Sequence, residues 1–574
     1  MKSTRKIANL SRLYSILGIL VVFSLVLGAC VAPAAAPASS GAAAAATATP
    51  KPAESTSGGA AAAAPAGDAN TMIGAWVGPC CNPIDFLNPL SAGGGYHWFN
   101  KIFSHLVTYN VDYSDIVPDL AESWKPSDDS LTWTINLRKG VTWHDGTAFT
   151  ADDVVFSIEL CLDPKVKCNK AGELSTIAGA KDFAGGKAQS VSGLKIVDAN
   201  TLQLTTEGPN AAIIDTLAET WILQKASLKD ISHDNLDKSD YWRTKSIGTG
   251  PFKFVKFVDG QYIETAAFEN YWRGKPKIDR LIRREFKDPA TALLAFDAGE
   301  IDFTYLTLDE LEREQKNDKA VVIPGPSKVD NAITLNPKAN PAFGKPEFHQ
   351  AILYAIDRKS IIENLYHGAA TPVPCFYGNP KYYPKDIEPY DYNPDKAKQL
   401  LKDAGIDPAS LGEIVMDTYY NDQLSADVMT VIQQNLADIG IKIKLMPLDG
   451  AAWNSRYYEK GESQMSFIGG ANGPDPNRAY QYFHSQSKAG NNYGYNNPKL
   501  DELLDNGRKE MDPDKRVAIY QEACTILGHD LPWVTLWQTT RYGLVSKRIA
   551  NFQFTPAPGG GSYYDEAEKW EIVK

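Results

Sequence analysis

Cysteine and histidine are the side chains best able to do chemistry in this 574-residue chain, and there are seven of the first and eight of the second. No Cys-x-x-Cys spacing and no neighbouring histidine pair completes a zinc site. The histidines, His97, His105, His144, His233, His349, His367, His484 and His529, stand singly, so their pattern does not support direct metal ligation. Cys30 is set apart, close behind an apolar run. The other six cysteines are Cys80, Cys81, Cys161, Cys168, Cys375 and Cys524, and in an oxidising compartment six cysteines allow fifteen full pairings. Cys161 and Cys168 close a short loop containing Pro164 and are expected to bond. Cys375 is assigned to Cys80 or Cys81, with Cys524 left as a buried thiol in a helical pattern. Gly-x-Ser-x-Gly, His-Glu-x-x-His and Walker motifs do not occur. The Asp152-Asp153 pair suits a helix start, where negative charge meets the helix dipole. A glycosidase would need two opposed carboxylates across a cleft, and the sequence marks no such pair.

The ends of the chain set its context. Lys2, Arg5, Lys6 and Arg12 precede an apolar run over residues 16–27, and no acidic residue occurs before Cys30. The run is shorter than the ~20 residues of a membrane span and fits a signal h-region. It ends in Leu27-Gly28-Ala29-Cys30, which resembles the lipobox of bacterial lipoproteins. That resemblance implies an exported protein anchored to the outer face of the cell membrane by lipidated Cys30. Residues 30–70 are mostly Ala, Pro, Gly, Ser and Thr and cannot bury enough surface to fold, so they read as a flexible tether. Such a tether spans roughly 35 Å as a random coil. Without the leader, 54 basic residues face 69 acidic ones, which argues against nucleic acid as a partner.

The elements that would position a site are legible as patterns. Leu131, Trp133, Ile135 and Leu137 alternate with polar residues, the period of a strand with one buried face. Asp128-Asp129-Ser130 and Asp145-Gly146 mark turns around it. Thr150 then starts a helix as N-cap, with Asp153 at N3. Asp288-Pro289 caps another helix that Gly299 stops before a strand at 301–306. Further on, 347–357 is amphipathic and 395–404 is a helix ended by Gly405. The order strand 414–420, helix 424–439, strand 441–445 makes a βαβ unit. A strand at 465–468 leads into a Gly469-Gly470 loop.

The literal wording of residues 118–158, PDLAESWKPSDDSLTWTINLRKGVTWHDGTAFTADDVVFSI, resembles the signature region of family 5 extracellular solute-binding proteins. These are the peptide/nickel/oligosaccharide receptors of ABC importers. IGTGPFKF at 247–254, YWRGKP at 271–276, AGEIDF at 298–303 and QAILYAIDR at 350–358 resemble the same family, so the likeness covers about 71–550. It implies an α/β, two-lobed periplasmic-binding-protein-like fold with a hinge and an extra inserted subdomain. A discontinuous lobe would hold 71–108, 236–325 and 536–574. The inserted subdomain would hold 109–235 and the other lobe 326–535, with hinge crossings near 325 and 535. It implies a monomer that performs no chemistry, needs no cofactor and works with the membrane subunits of an ABC permease. The expected ligand is an oligopeptide, with an oligosaccharide as the rival.

The resemblance also proposes contacts in the cleft between lobes. Peptide-binding relatives hold the ligand's ammonium group with an aspartate three residues before an Asp-Pro or Glu-Pro pair. Counting back from Asp475-Pro476, the matching residue is Asn472, which cannot neutralise a buried cation. Gly93, Gly94 and Gly95, just after Ser91, fall where the receptors offer a backbone edge to a bound chain. Trp453 aligns with a cleft tryptophan, and Trp537 lies near the second crossing. The expected ligand contacts are therefore Ser91, Gly93, Gly94, Trp453, Gly470, Asn472, Asp475 and Trp537. Trp143-His144-Asp145-Gly146 matches a structural turn of the family.

Overall fold

The computed structural model describes residues 69–77, 88–90, 96–471, 473–487, 491, 493–555 and 564–573. The leader, Cys30, the tether, Cys80, Cys81, Ser91, Gly93, Gly94 and Asn472 lie outside the described residues. Among the described residues no helix is long and apolar enough to cross a membrane.

One 11-stranded mixed sheet organises the chain. Its first half runs in the order Phe252–Val258, Tyr262–Ala267, Arg280–Phe286, Thr71–Val77, Phe303–Leu306. Its second half runs Met465–Ala471, Glu413–Thr418, Lys442–Pro447. Two long antiparallel strands, Ala320–Leu335 and Trp533–Ser546, pass through both halves. Residues 320–326 pair with 540–546 beside the first half, and 330–334 pair with 533–538 beside the second. Between Pro326 and Asp330 the register breaks, and Lys328 takes a left-handed φ of 53°. The chain therefore changes partners at 326–330 and 538–540.

The βαβ reading is realised as Glu413–Thr418, helix Gln423–Asp438 and Lys442–Pro447, with the two strands parallel. The helix buries Val428, Met429, Ile432 and Leu436 along one face, the spacing that packs a helix on a sheet. Asp422 caps it by accepting the Ser425 N–H at 2.9 Å. The 347–357 pattern is the helix Pro346–Ala355, and 395–404 is Pro394–Asp403.

A separate four-stranded antiparallel sheet joins Ala121–Pro126, Thr132–Leu137, Thr201–Thr205 and Leu194–Asp198. Trp133, Ile135 and Leu137 face its core as the alternation requires. The buried members of this core all fall between Leu106 and Ile222. The helix Ala151–Leu162 lies over it, and Asp153 does more than cap that helix. Its carboxylate accepts the N–H of Thr150 (3.1 Å), the indole N–H of Trp143 (3.2 Å) and the N–H of Lys225 (3.0 Å).

The signature segments interlock. Gly248 donates its N–H to His144 Nδ1 at 3.1 Å, and His144 Nε2 meets the Gly250 carbonyl at 3.0 Å. Burial pushes the His144 imidazole down to about 4, so it is neutral, with Nδ1 accepting and Nε2–H donating. Gly250 must be glycine because a Cβ there would sit 2.6 Å from the Lys101 carbonyl oxygen. Arg273 donates to Asp119 Oδ1 (3.1 Å) and the Pro118 carbonyl (3.0 Å), joining 271–276 to 118–158.

Two disulfides staple the described chain. Cys161 and Cys168 are joined with Cα atoms 5.0 Å apart. Cys375 is joined to Cys524, Cα atoms 5.6 Å apart. This corrects the expected pairing of Cys375 with Cys80 or Cys81 and the reading of Cys524 as a thiol. The helix Pro513–Asp530 presents Cys524 on its buried face, against the segment carrying Cys375, and sequence spacing could not show that meeting.

Candidate functional site

Residues 465–483 carry three of the expected contacts, Gly470, Asn472 and Asp475. Gly469 and Gly470 are strand rather than loop, in register with Asn331 and Asp330. A Cβ on Gly470 would lie 2.5 Å from Trp533 Cζ3 and 2.6 Å from Phe376 Cε2. The glycine thus admits two aromatic rings of the protein itself. Tyr419 Oη accepts the Gly469 N–H at 2.9 Å. Trp453 sits in the same aromatic cluster. Its indole N–H donates to Ser466 Oγ (2.9 Å), and Tyr457 stacks on it at 4.7 Å between centroids. One stacking face is therefore taken by the protein.

Two expected contacts are placed elsewhere. Trp537 is 0 % exposed and belongs to the core around Ile333, Tyr366 and Leu536, because the register shift opposite Asn331 and Ala332 breaks the strand's alternation and leaves it on the same side as Leu536. Asp475 gives both oxygens to Arg516, whose two terminal nitrogens donate at 2.6 and 2.8 Å. Asp475 also accepts the Asn477 N–H at 2.8 Å, and Arg516 Nε donates to the Gly507 carbonyl at 2.8 Å. The pair is a buried brace joining the loop to two helices. Of the expected set, the structure brings Trp453 and Gly470 to one aromatic cluster.

Opposite the loop stands a group of side chains that sequence reasoning did not select. Tyr109 Oη donates to Asp215 Oδ1 at 2.6 Å. Asp215 and Glu219 lie four residues apart, on the short helix Ile213–Ala218 and at its C-cap. A Cβ on Gly473 would be 3.9 Å from Glu219 Oε1 and 3.9 Å from Tyr109 Oη. Glu219 is ion-paired to Lys170, and Arg478 Nη1 lies 3.8 Å from Glu219 Oε2. Backbone contacts reinforce the meeting: Ala211 N–H donates to the Arg508 carbonyl (2.7 Å) and Asn379 Nδ2 to the Ser114 carbonyl (3.2 Å). The result is a polar seam between residues 109–219 and the 473–508 region.

The electrostatics of the seam are uneven. Burial alone would raise the Glu219 carboxyl, but Lys170 and Arg478 override it and hold it down to about 2. Asp215 is raised well above the carboxylate range, by burial first and then by Asp475 and Glu219. The spacing of Asp215 and Glu219, one helical turn apart, was the signal available in the sequence. Arg478, three residues after Asp475, was in plain view but had no partner nearby in sequence. Charged and hydrogen-bonding groups from separate segments thus meet here, with Arg478 in ionic contact only. Among the described residues no group of three or more His, Cys, Asp or Glu side chains is placed to hold a metal.

A continuous α/β sheet carried through by two long strands, with a polar seam where separate segments meet, defines the two-lobed periplasmic-binding-protein-like class. Solved structures agree. The ABC transporter substrate-binding protein CtaP of Listeria monocytogenes superposes with a TM-score of 0.77 at 26% identity, covering 88% of this chain and 100% of that one. NikZ of Campylobacter jejuni, solved with Ni(L-His), gives 0.73 at 26% over 88% and 99%. The model of the bacterial extracellular solute-binding proteins, family 5, matches residues 115–493. A Brucella melitensis protein, provisionally named an ABC transporter peptide-binding protein, is 37% identical over 89% of this chain and 95% of its own length. The dipeptide-binding protein of Escherichia coli is 28% identical over 79% and 87%. The chain belongs to the bacterial extracellular solute-binding proteins of family 5. It is the substrate-binding component of an ABC transporter and a receptor rather than an enzyme.

Proposed function

We propose that this receptor captures an oligopeptide between two lobes and delivers it to the membrane subunits of an ABC permease. The observation that carries the peptide reading is the 37% identity, over 89% of the chain, to a relative named for peptide binding. The Escherichia coli relative named for dipeptides supports it and favours it over the oligosaccharide reading. In this reading the lobes are 71–108 with 236–325 and 536–574, carrying the insert 109–235, and 326–535. They hinge where the long strands change partners. Ligand contact with both lobes then shifts the population toward the closed state. Ser91, Gly93, Gly94, Trp453, Gly470 and Asn472 are proposed to line the cleft, and lipidated Cys30 to tether a monomeric receptor to the membrane.

The test is mass spectrometry of the purified receptor, native and then denatured, to identify the solute it carries. Peptide masses released on denaturation are expected. Masses spaced by hexose or pentose units would replace the peptide reading with the oligosaccharide one.

A further inference from the structure

We propose that Arg478 receives a carboxylate group of the captured solute; this rests on the peptide reading above and names the chemistry of one end of its site. Arg478 opens the helix Arg478–Phe483 and projects into the seam. A guanidinium carries five N–H donors in a fixed plane, and buried donors are almost always satisfied. Arg478 breaks that rule. Its Nε is buried without a hydrogen-bond partner. Its contact with Glu219 is an ion pair at 3.8 Å, too long for a hydrogen bond. Glu219 Oε2 is already engaged by Lys170.

Other buried arginines show what a structural guanidinium does here. Arg516 makes two bonds to Asp475 and one to the Gly507 carbonyl. Arg358 reaches three backbone carbonyls, of Leu536, Pro389 and Tyr390. Arg478 is held in place by charge, and among the described residues no hydrogen bond occupies its donors. Its side chain is 29 % exposed as a whole although Nε is buried, so the guanidinium is not sealed off by the protein. The acceptor that matches a planar fork is a carboxylate bound through two parallel hydrogen bonds. Glu219 fixes the guanidinium from one side without filling its hydrogen-bonding edges. Two sources of carboxylate fit, the C-terminus of a peptide and an acidic side chain.

The experiment measures binding by calorimetry to the wild-type receptor stripped of solute, and to its Arg478→Met and Arg478→Lys variants. The probes are tri-alanine, tri-alanine amide and Ala-Glu-Ala amide. We expect a carboxylate-bearing probe to bind wild type roughly 10- to 100-fold tighter than tri-alanine amide, the range of charge-assisted hydrogen bonds. Arg478→Met should abolish that preference and Arg478→Lys restore part of it. Because Arg478→Met also removes one of the two cations that hold Glu219 ionised, some loss of Tm is expected in it, and Arg478→Lys, which keeps the charge, is the variant that isolates the planar fork. Preference for tri-alanine assigns the C-terminus, and preference for Ala-Glu-Ala amide assigns the side chain. A preference that survives in Arg478→Met, or no preference in wild type, overturns the proposal and leaves the peptide reading standing. Failure of wild type to bind any of the three probes overturns the peptide reading, and the proposal with it.

Discussion

Asp475 is where two roles can be separated by measurement. In the structure it is a brace: its side chain is 11 % exposed and that of Arg516 12 %, with two short hydrogen bonds between them. Asp475→Asn keeps an oxygen for the Asn477 N–H but removes the charge that Arg516 needs. Removing one partner of a buried ion pair costs about 3–5 kcal/mol, because the remaining charge is left without compensation. For an unfolding unit of 150–250 residues, the size expected for the 326–535 lobe, that corresponds to a fall in Tm of roughly 6–20 °C. Arg516→Met also loses the bond to the Gly507 carbonyl, worth about 1 kcal/mol more. The double variant has no stranded charge, so it should be more stable than the sum of the singles by roughly 2 kcal/mol or more. The assay is thermal and urea unfolding of all four proteins, followed by tryptophan fluorescence, with solute binding measured in parallel. A loss below about 1 kcal/mol for Asp475→Asn, or simple additivity, would refute the brace. Weakened solute binding with unchanged stability would return Asp475 to the ligand.

Two further predictions concern the frame around the site. The imidazole of His144 should stay neutral down to about pH 4, against 6.5 in the unfolded chain. Its contribution is therefore complete above pH 6.5 and is lost as pH falls toward 4, by up to roughly 3 kcal/mol. A histidine NMR titration that showed His144 protonating near 6.5 would contradict this. The Cys375–Cys524 bridge closes 149 residues and Cys161–Cys168 closes seven. On loop entropy, replacing the first pair by serine should cost about 5 kcal/mol and the second about 2. Equal losses in urea unfolding would count against that mechanism.

The family wording is itself explained by the geometry. Asp119, His144, Gly248, Gly250 and Arg273 come from three separate signature stretches, and each makes a hydrogen bond to another of them. Such residues fix how the chain is folded and say nothing of what is bound. That is why the sequence pointed firmly to a family and not to a solute.

Local chemistry was enough for the elements. The alternation at Trp133, Ile135 and Leu137, the cap at Asp288 and the helix Gln423–Asp438 each depend on residues a few positions apart, and all were legible. Only the tertiary structure decided the partners. Cys375 meets Cys524 149 residues away, Asp475 meets Arg516, and Trp537 turns into the core. Glu219 and Arg478 face one another from segments 259 positions apart in the chain. Burial and charge pairing act through space, and the spacing of residues along a chain carries no record of which distant group will arrive.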